Sequence, residues 1–365
     1  MNTNAYFAAI LLLLTQGCSA RLQPGEQTEQ IALTETEQAP ILPAIDADVY
    51  STAPTTPRDP KVATAAAGLE WDESLSGAAA NLAIDLSSNM PIDAASVRWA
   101  GLKAGWPYPI THAAMELVSH QSDCPTSLLE SIPAHTHVGI ARARGASSDA
   151  WVVLSTNVQR VASPFSNAQA LNTEFSLPYE NPEGLSLSAY GSTGELQTGS
   201  SVTFDHEGEW VVEVIDETQQ TLILRAAIYV AGESPDYAPI EPIAAEMDNT
   251  EAQILLMINE ARGHFVNGNL VSEPLLTSTA RRSLQEWIDN GAPSPSHEDL
   301  GAITLTGSPT VALLCMGETP RACVDQIYWS AQHRGALLKD SQAGAGIASE
   351  VVDGVIHAVI HLAGN

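Results

Sequence analysis

Apolar residues recur along this chain in two rhythms. Leu75, Ala79, Leu82, Ala83 and Leu86 fall on one face at helical spacing, predicting a helix within Leu69–Leu86. Two shorter helices follow from the pattern at Thr111–His120 and Thr126–Ile132. His137–Ala143 and Ala150–Thr156 read as strands joined by the turn Gly145–Asp149. From Leu185 the period changes to two: Leu185-Ser-Leu187-Ser-Ala189-Tyr190 alternates, as does Val202-Thr-Phe204. Trp210–Ile215 and Leu222–Val230 continue the series, and several short strands at close spacing predict a small β-sandwich. Helical spacing returns over Glu251–His264 and Leu275–Asp289. A third late helix starts at Thr319-Pro320, an N-cap followed by Pro at the first helical position, and runs to Tyr328. Two strands close the chain, Ala343–Ser349 and Val355–Leu362, around the turn Asp353-Gly354.

The segments without rhythm set the boundaries. Phe7–Leu14 is an apolar run of eight, too short to span a bilayer, which takes about 20 residues, and suited to the h-region of a secretory signal peptide. Leu14-Thr-Gln-Gly17-Cys18 resembles a bacterial lipobox, so Cys18 is the expected lipidation site; cleavage after Ala20 is the alternative. Residues 1–20 are therefore read as leader. Residues 21–61, rich in Gln, Glu, Thr and Pro, are read as an acidic tether with too little apolar surface to fold. A first folded unit covers 62–161, the sandwich 162–233, a Pro-rich linker 234–243 and a last unit 244–365.

Charge narrows the partners. Fifteen basic and 43 acidic side chains in 365 residues give a net charge of −28, which repels nucleic acid and anionic membrane surfaces. Membrane association is expected only through a lipid anchor. Export implies an oxidising compartment. Cys315 and Cys323 are close enough in sequence to pair, which leaves Cys124 over.

Three segments of the last unit carry a family resemblance. They are Ile258-Asn-Glu-Ala-Arg262, then Thr319-Pro320 with Ser330-Ala-Gln-His333-Arg334-Gly-Ala-Leu337-Leu338, and Ala343-Gly-Ala-Gly346-Ile347. Together they resemble the CAP superfamily (cysteine-rich secretory, antigen 5 and pathogenesis-related proteins, or SCP-like) in its short bacterial form. The first unit resembles it more faintly: Leu75-x3-Ala79 parallels Leu276-x3-Ala280, Cys124-x3-Leu128 parallels Cys323-x3-Ile327, and Gly139-Ile-Ala141 parallels Gly346-Ile-Ala348. The resemblance implies an α+β fold of two CAP-like α-β-α sandwich units flanking the small β-sandwich.

It also implies a cleft with two His and two Glu able to hold a divalent cation. Here His333 matches the second His, and His297 is the candidate for the first, with Glu298 beside it. The family's cleft Glu should lie near Val311, which cannot ligate. The "SPGHR" stretch is missing from the first unit. A metal site needs three or four converging ligands, so the cleft is expected to be vestigial, with no metal or cofactor.

Other chemistry reads as structural. His357-x3-His361 has a zinc-helix spacing, but its Val/Ile-rich surroundings predict a strand, which sets the rings about 13 Å apart. His135 and His137 share a strand face near the predicted helix face of His112, Glu116 and His120, with no third ligand fixed by spacing. Cys124 with His120 or His135 is the one nucleophile–base pair to consider, and it lacks an orienting third group. The expected role is binding of an envelope component or small ligand at the bacterial cell envelope. The alternative is a metal-dependent or Cys/His hydrolase acting on envelope peptide or glycan.

Overall fold

The computed structural model describes residues 49–50, 59–120, 122–133, 137–191, 196–219, 221–232, 240, 249–265, 268–290 and 311–364. The fold is mixed α+β. Cys18, nearly all of the tether, most of the linker, His135, His297 and Glu298 lie outside the described residues. The described residues form two compact units, one of residues up to 92 with 96–164, the other of 93–95 with everything from 165 onward.

The first unit runs β1 (Val49–Tyr50), α1 (Pro60–Ala65), β2 (Glu70–Trp71), α2 (Glu73–Ser87), α3 (Ala94–Lys103), β3 (His112–Val118), α4 (Thr126–Glu130), β4 (His137–Arg144) and β5 (Asp149–Thr156). Asp72 caps α2, its Oδ1 accepting from Leu75 N at 3.1 Å. The sheet order is β2-β4-β5-β3, with β2 parallel to β4 and the other pairs antiparallel. Strand alternation separates two packed faces. Gly139 on β4 lies under α2, so closely that a Cβ there would sit 2.3 Å from the Leu75 backbone. The opposite face carries Val138, Ile140, Trp151 and Val153, packed with Val62 and Ala66 at α1 and Leu128 of α4.

Residues Thr111–His120 are not the helix their composition predicts. Seven of them form β3, paired along its whole length with β5. The pairing with a fully buried strand overrides the helix preference of Ala, Met, Glu and Leu.

The second unit begins with β6 (Phe165–Ser166), β7 (Ala168–Gln169), β8 (Glu174–Ser176), β9 (Leu185–Gly191), β10 (Gln197–Gly199), β11 (Ser201–Thr203), β12 (Gly208–Asp216) and β13 (Thr221–Val230). A five-stranded sheet has the order β10-β9-β12-β13-β7, and β8 pairs with β11 in a separate ribbon. Phe175, Phe204 and Trp210 stack in sequence between ribbon and sheet.

The unit continues with α5 (Thr250–Gly263), β14 (Val271–Ser272), α6 (Pro274–Asn290), β15 (Val311–Gly317), α7 (Pro320–Tyr328), α8 (Ala331–Leu338), β16 (Gln342–Val352) and β17 (Val355–Gly364). Thr319 caps α7, accepting from Ala322 N at 3.0 Å. Asp353 and Gly354 both have positive φ, 51° and 82°, the geometry of a two-residue type I′ hairpin turn. The sheet order is β14-β16-β17-β15, with β14 parallel to β16 and the other pairs antiparallel. Ala280, Leu284 and Trp287 of α6 pack on Ala348 and Val359, and a Cβ at Gly346 would sit 2.0 Å from the Leu276 backbone. Cys315 points to the other face, where a disulfide joins it to Cys323 on α7 with Cα atoms 5.1 Å apart.

Candidate functional site

The residues of the family-like segments cluster at α8. Asn259 on α5 clamps the loop before β14: its Nδ2 donates to Leu270 O at 3.1 Å and its Oδ1 accepts from Leu270 N at 2.8 Å. Arg262, fully buried, binds the far end of α8. It donates to Leu337 O at 2.6 Å, Lys339 O at 3.2 Å, Gln342 O at 3.1 Å and Gly268 O at 3.1 Å. Two of these carbonyls, Leu337 and Lys339, belong to the α8 C-terminus, where a helix leaves acceptors without intrahelical partners. The opening motif of the unit therefore holds α8 in place.

The rest of α8 is held by the five-stranded sheet. Glu209 and Glu213 stand four residues apart on β12, so both project from one face. They are 7% and 4% exposed. Glu209 Oε1 accepts from Tyr328 Oη at 2.7 Å and from Arg334 Nη2 at 2.7 Å. Glu213 Oε2 accepts from the backbone N of Ala331, the first residue of α8, at 2.7 Å, and its Oε1 accepts from Arg225 Nε at 3.0 Å. One carboxylate neutralises a fully buried guanidinium and the other caps a helix N-terminus. The Arg334 guanidinium also stacks on the rings of Tyr328 and Phe265, at 4.2 and 5.2 Å. Burial pushes the Tyr328 hydroxyl well above its ordinary 10.0; Glu209 adds to this and Arg334 opposes it. It therefore stays protonated and donates.

His333 sits half-buried on α8 among these groups. Burial pulls its imidazole below 6.5, with Glu213 opposing and Arg225 adding to the effect. Its neighbours are thus the carboxylate and guanidinium of an existing ion pair. Gly335 completes the seam: the Tyr190 ring of β9 lies against it, leaving 2.6 Å to an added Cβ. Along the edge of the seam runs an open groove of about 500 Å³, lined by Leu185, Ser186, Ser188, Ile215, Glu217 and Gln332 among others.

The remaining sequence candidates are dispersed. His112 and Glu116 lie on strand β3 rather than on a helix, and each turns to a serine: His112 Nε2 to Ser131 Oγ at 2.9 Å, Glu116 Oε2 to Ser127 Oγ at 3.2 Å. His120 Nδ1 meets Asp149 Oδ1 at 2.9 Å. The His137 ring packs near Trp106, with centroids 5.8 Å apart. His357 and His361 lie on β17, one ring against Trp287 and the other bonded through Nδ1 to Thr279 Oγ1 at 3.0 Å. Val311 opens β15. Burial pushes the Cys124 thiol up to about 11, with the Glu116 carboxylate adding to it, the opposite of nucleophile activation. Among the described residues, no three His, Cys, Asp or Glu side chains group to hold a metal ion.

No protein-family model matches the chain. No curated protein matches it in sequence either. Among solved structures it is similar to a cysteine-rich secretory protein of Staphylococcus aureus, at 12% identity and a TM-score of 0.28, over 62% of this chain and 83% of that one. It is also similar to an extracellular protein containing an SCP domain from Bacillus anthracis, at 14% identity and a TM-score of 0.26, over 72% of this chain and 90% of the other. Likenesses this distant establish neither fold nor activity.

Sequence reasoning reached His333 and Arg334 but missed Glu209, Glu213, Arg225 and Tyr328. One signal was present. Two carboxylates four residues apart, Glu209 just before and Glu213 within the apolar run Trp210–Ile215, mark a buried charged pairing.

Proposed function

We propose that this chain is an exported cell-envelope protein of CAP type, with two CAP-like units and a binding or spacing role rather than a catalytic one. One observation carries the reading. α8, the segment that would line the family's cleft, is covered by the chain's own sheet, and Glu209 and Glu213 take up the polar groups around His333. The sheet leaves that imidazole only partly exposed in this arrangement. The leader-like run Phe7–Leu14 supports export. Among the described residues no helix is long and apolar enough to cross a membrane.

Strand registers support the two-unit reading. Trp71 pairs with Val138, and Ser272 with Ala345, the partners displaced by 201 and 207 residues. Gly139 pairs with Leu154 and Gly346 with His361, both displaced by 207. Ala113 pairs with Leu154 and Ala312 with His361, so the third strand is displaced by 199. The difference between 207 and 199 is eight residues, the length of α8. The C-terminal unit thus reads as the N-terminal one with α8 added between α7 and the closing hairpin.

The test is calorimetric titration of Zn²⁺ and Ca²⁺ into the chain beginning at Arg21. The expected result is no tight site. A stoichiometric site abolished by His333→Ala, with the melting temperature unchanged, would overturn the non-catalytic reading. Mass spectrometry of the native amino terminus separates a lipidated Cys18 from cleavage after Ala20.

A further inference from the structure

We infer that the five-stranded sheet is a releasable latch on α8, an internal contact that shields His333 and can open without unfolding the layers beneath. The inference stands on geometry and does not require the family reading. The attachments across the seam are mixed: Glu209 to Arg334 and Tyr328, Glu213 to the α8 N-terminus, and Tyr190 against Gly335, with Val211 and Ala227 buried on the same sheet face. The polar contacts are what such a seam shares with reversible interfaces, which are more polar than cores.

Three further features favour release. The sheet closes its other face by itself, through Phe175, Phe204 and Trp210, so lifting it does not expose both faces. α8 keeps its own anchor when the sheet leaves, because Arg262 holds the Leu337 and Lys339 carbonyls from the α5 side. The seam is also imperfectly satisfied. Arg334 Nε is buried with no hydrogen-bond partner among the described residues, and the groove beside Gln332 already brings solvent to the seam's edge. Opening gives water access to a donor that the closed state leaves unpaired. The surface it uncovers presents Arg334, Tyr328, His333 and the free N–H groups of a helix start. That set binds carboxylates, as Glu209 and Glu213 do in the closed state.

Hydrogen exchange on the chain from Arg21 tests this. In Glu209→Gln/Glu213→Gln, the amides of Ala331–Leu338 should exchange at least tenfold faster, and His333 should become correspondingly faster to modify with diethyl pyrocarbonate. Amides of α6, β16 and β17 should keep wild-type rates. Unchanged α8 rates overturn the latch, and so does acceleration spread through α6, β16 and β17, which would make the seam part of one core. Gly335→Ala displaces the Tyr190 ring without touching a charge and should give the same local pattern. If neither variant folds, the contact is not releasable and the inference is wrong.

Discussion

The matching registers make a sharp prediction about Cys124. Carried back by 199 residues, Cys323 falls on Cys124 and its disulfide partner Cys315 falls on Glu116. Glu116 acts on the Cys124 thiol electrostatically, so the two side chains lie near each other. Under the proposed equivalence of the two units, Glu116→Cys should form in the N-terminal unit a counterpart of the Cys315–Cys323 bridge. The C-terminal bridge spans a sequence separation of 8, and the new one spans the same. Chain-entropy arithmetic for a loop that short gives about 2.5 kcal/mol. For a cooperative unit of about 100 residues this raises Tm on the order of 10 °C, less any native strain. The assay is thiol titration in denaturant on the chain beginning at Arg21, then peptide mapping and a melting curve with and without reductant. Wild type should titrate one thiol and the oxidised variant none, with a cross-link between positions 116 and 124. Two titratable thiols after oxidation, or a bridge to another cysteine, would refute the equivalence of the two units.

Other expectations follow from particular contacts. Gly139→Ala and Gly346→Ala each push a Cβ into helix backbone that cannot yield, so each should cost about 1–3 kcal/mol in denaturant unfolding; Gly263→Ala, within α5 and with nothing within 4 Å, should stabilise by about 0.4–1 kcal/mol. Arg262→Ala strands several buried carbonyls and should cost about 3 kcal/mol or more. Arg262→Lys should recover less than half, since an ammonium cannot reach all four acceptors at once. Burial holds His112, His333 and His357 below 6.5. The unfolded chain therefore takes up these protons first, and unfolding free energy should fall as pH drops through 6.5 and level off below the folded values. His333→Gln should make that fall shallower; an unchanged profile would show that its imidazole is not desolvated.

Much of the fold was legible in the residues. α2, α5, α6 and α7 came from apolar spacing and from Thr319-Pro320, and the hairpin β16–β17 from Asp353-Gly354. Two kinds of element were not. β3 has a helix-forming composition and is a strand because β5 pairs with it; α3 and β15 have no periodicity that separates them from their surroundings. The candidate site was half legible. His333 and Arg334 lie within one segment, but what surrounds them does not. Glu209 lies 125 positions from Arg334, and a pairing across that span leaves no local trace except two carboxylates on an apolar strand.

That span also sets an order of events during synthesis. β12 is synthesised well before α8, and at 5–20 residues per second Glu209 precedes its arginine by about 6–25 s. Until then Glu209 lacks its buried partner, while Glu213 already has Arg225 on the neighbouring strand. A chain ending before residue 331 leaves Glu209 without its arginine and Glu213 without the helix N-terminus it caps, so the sheet face then carries uncompensated charge.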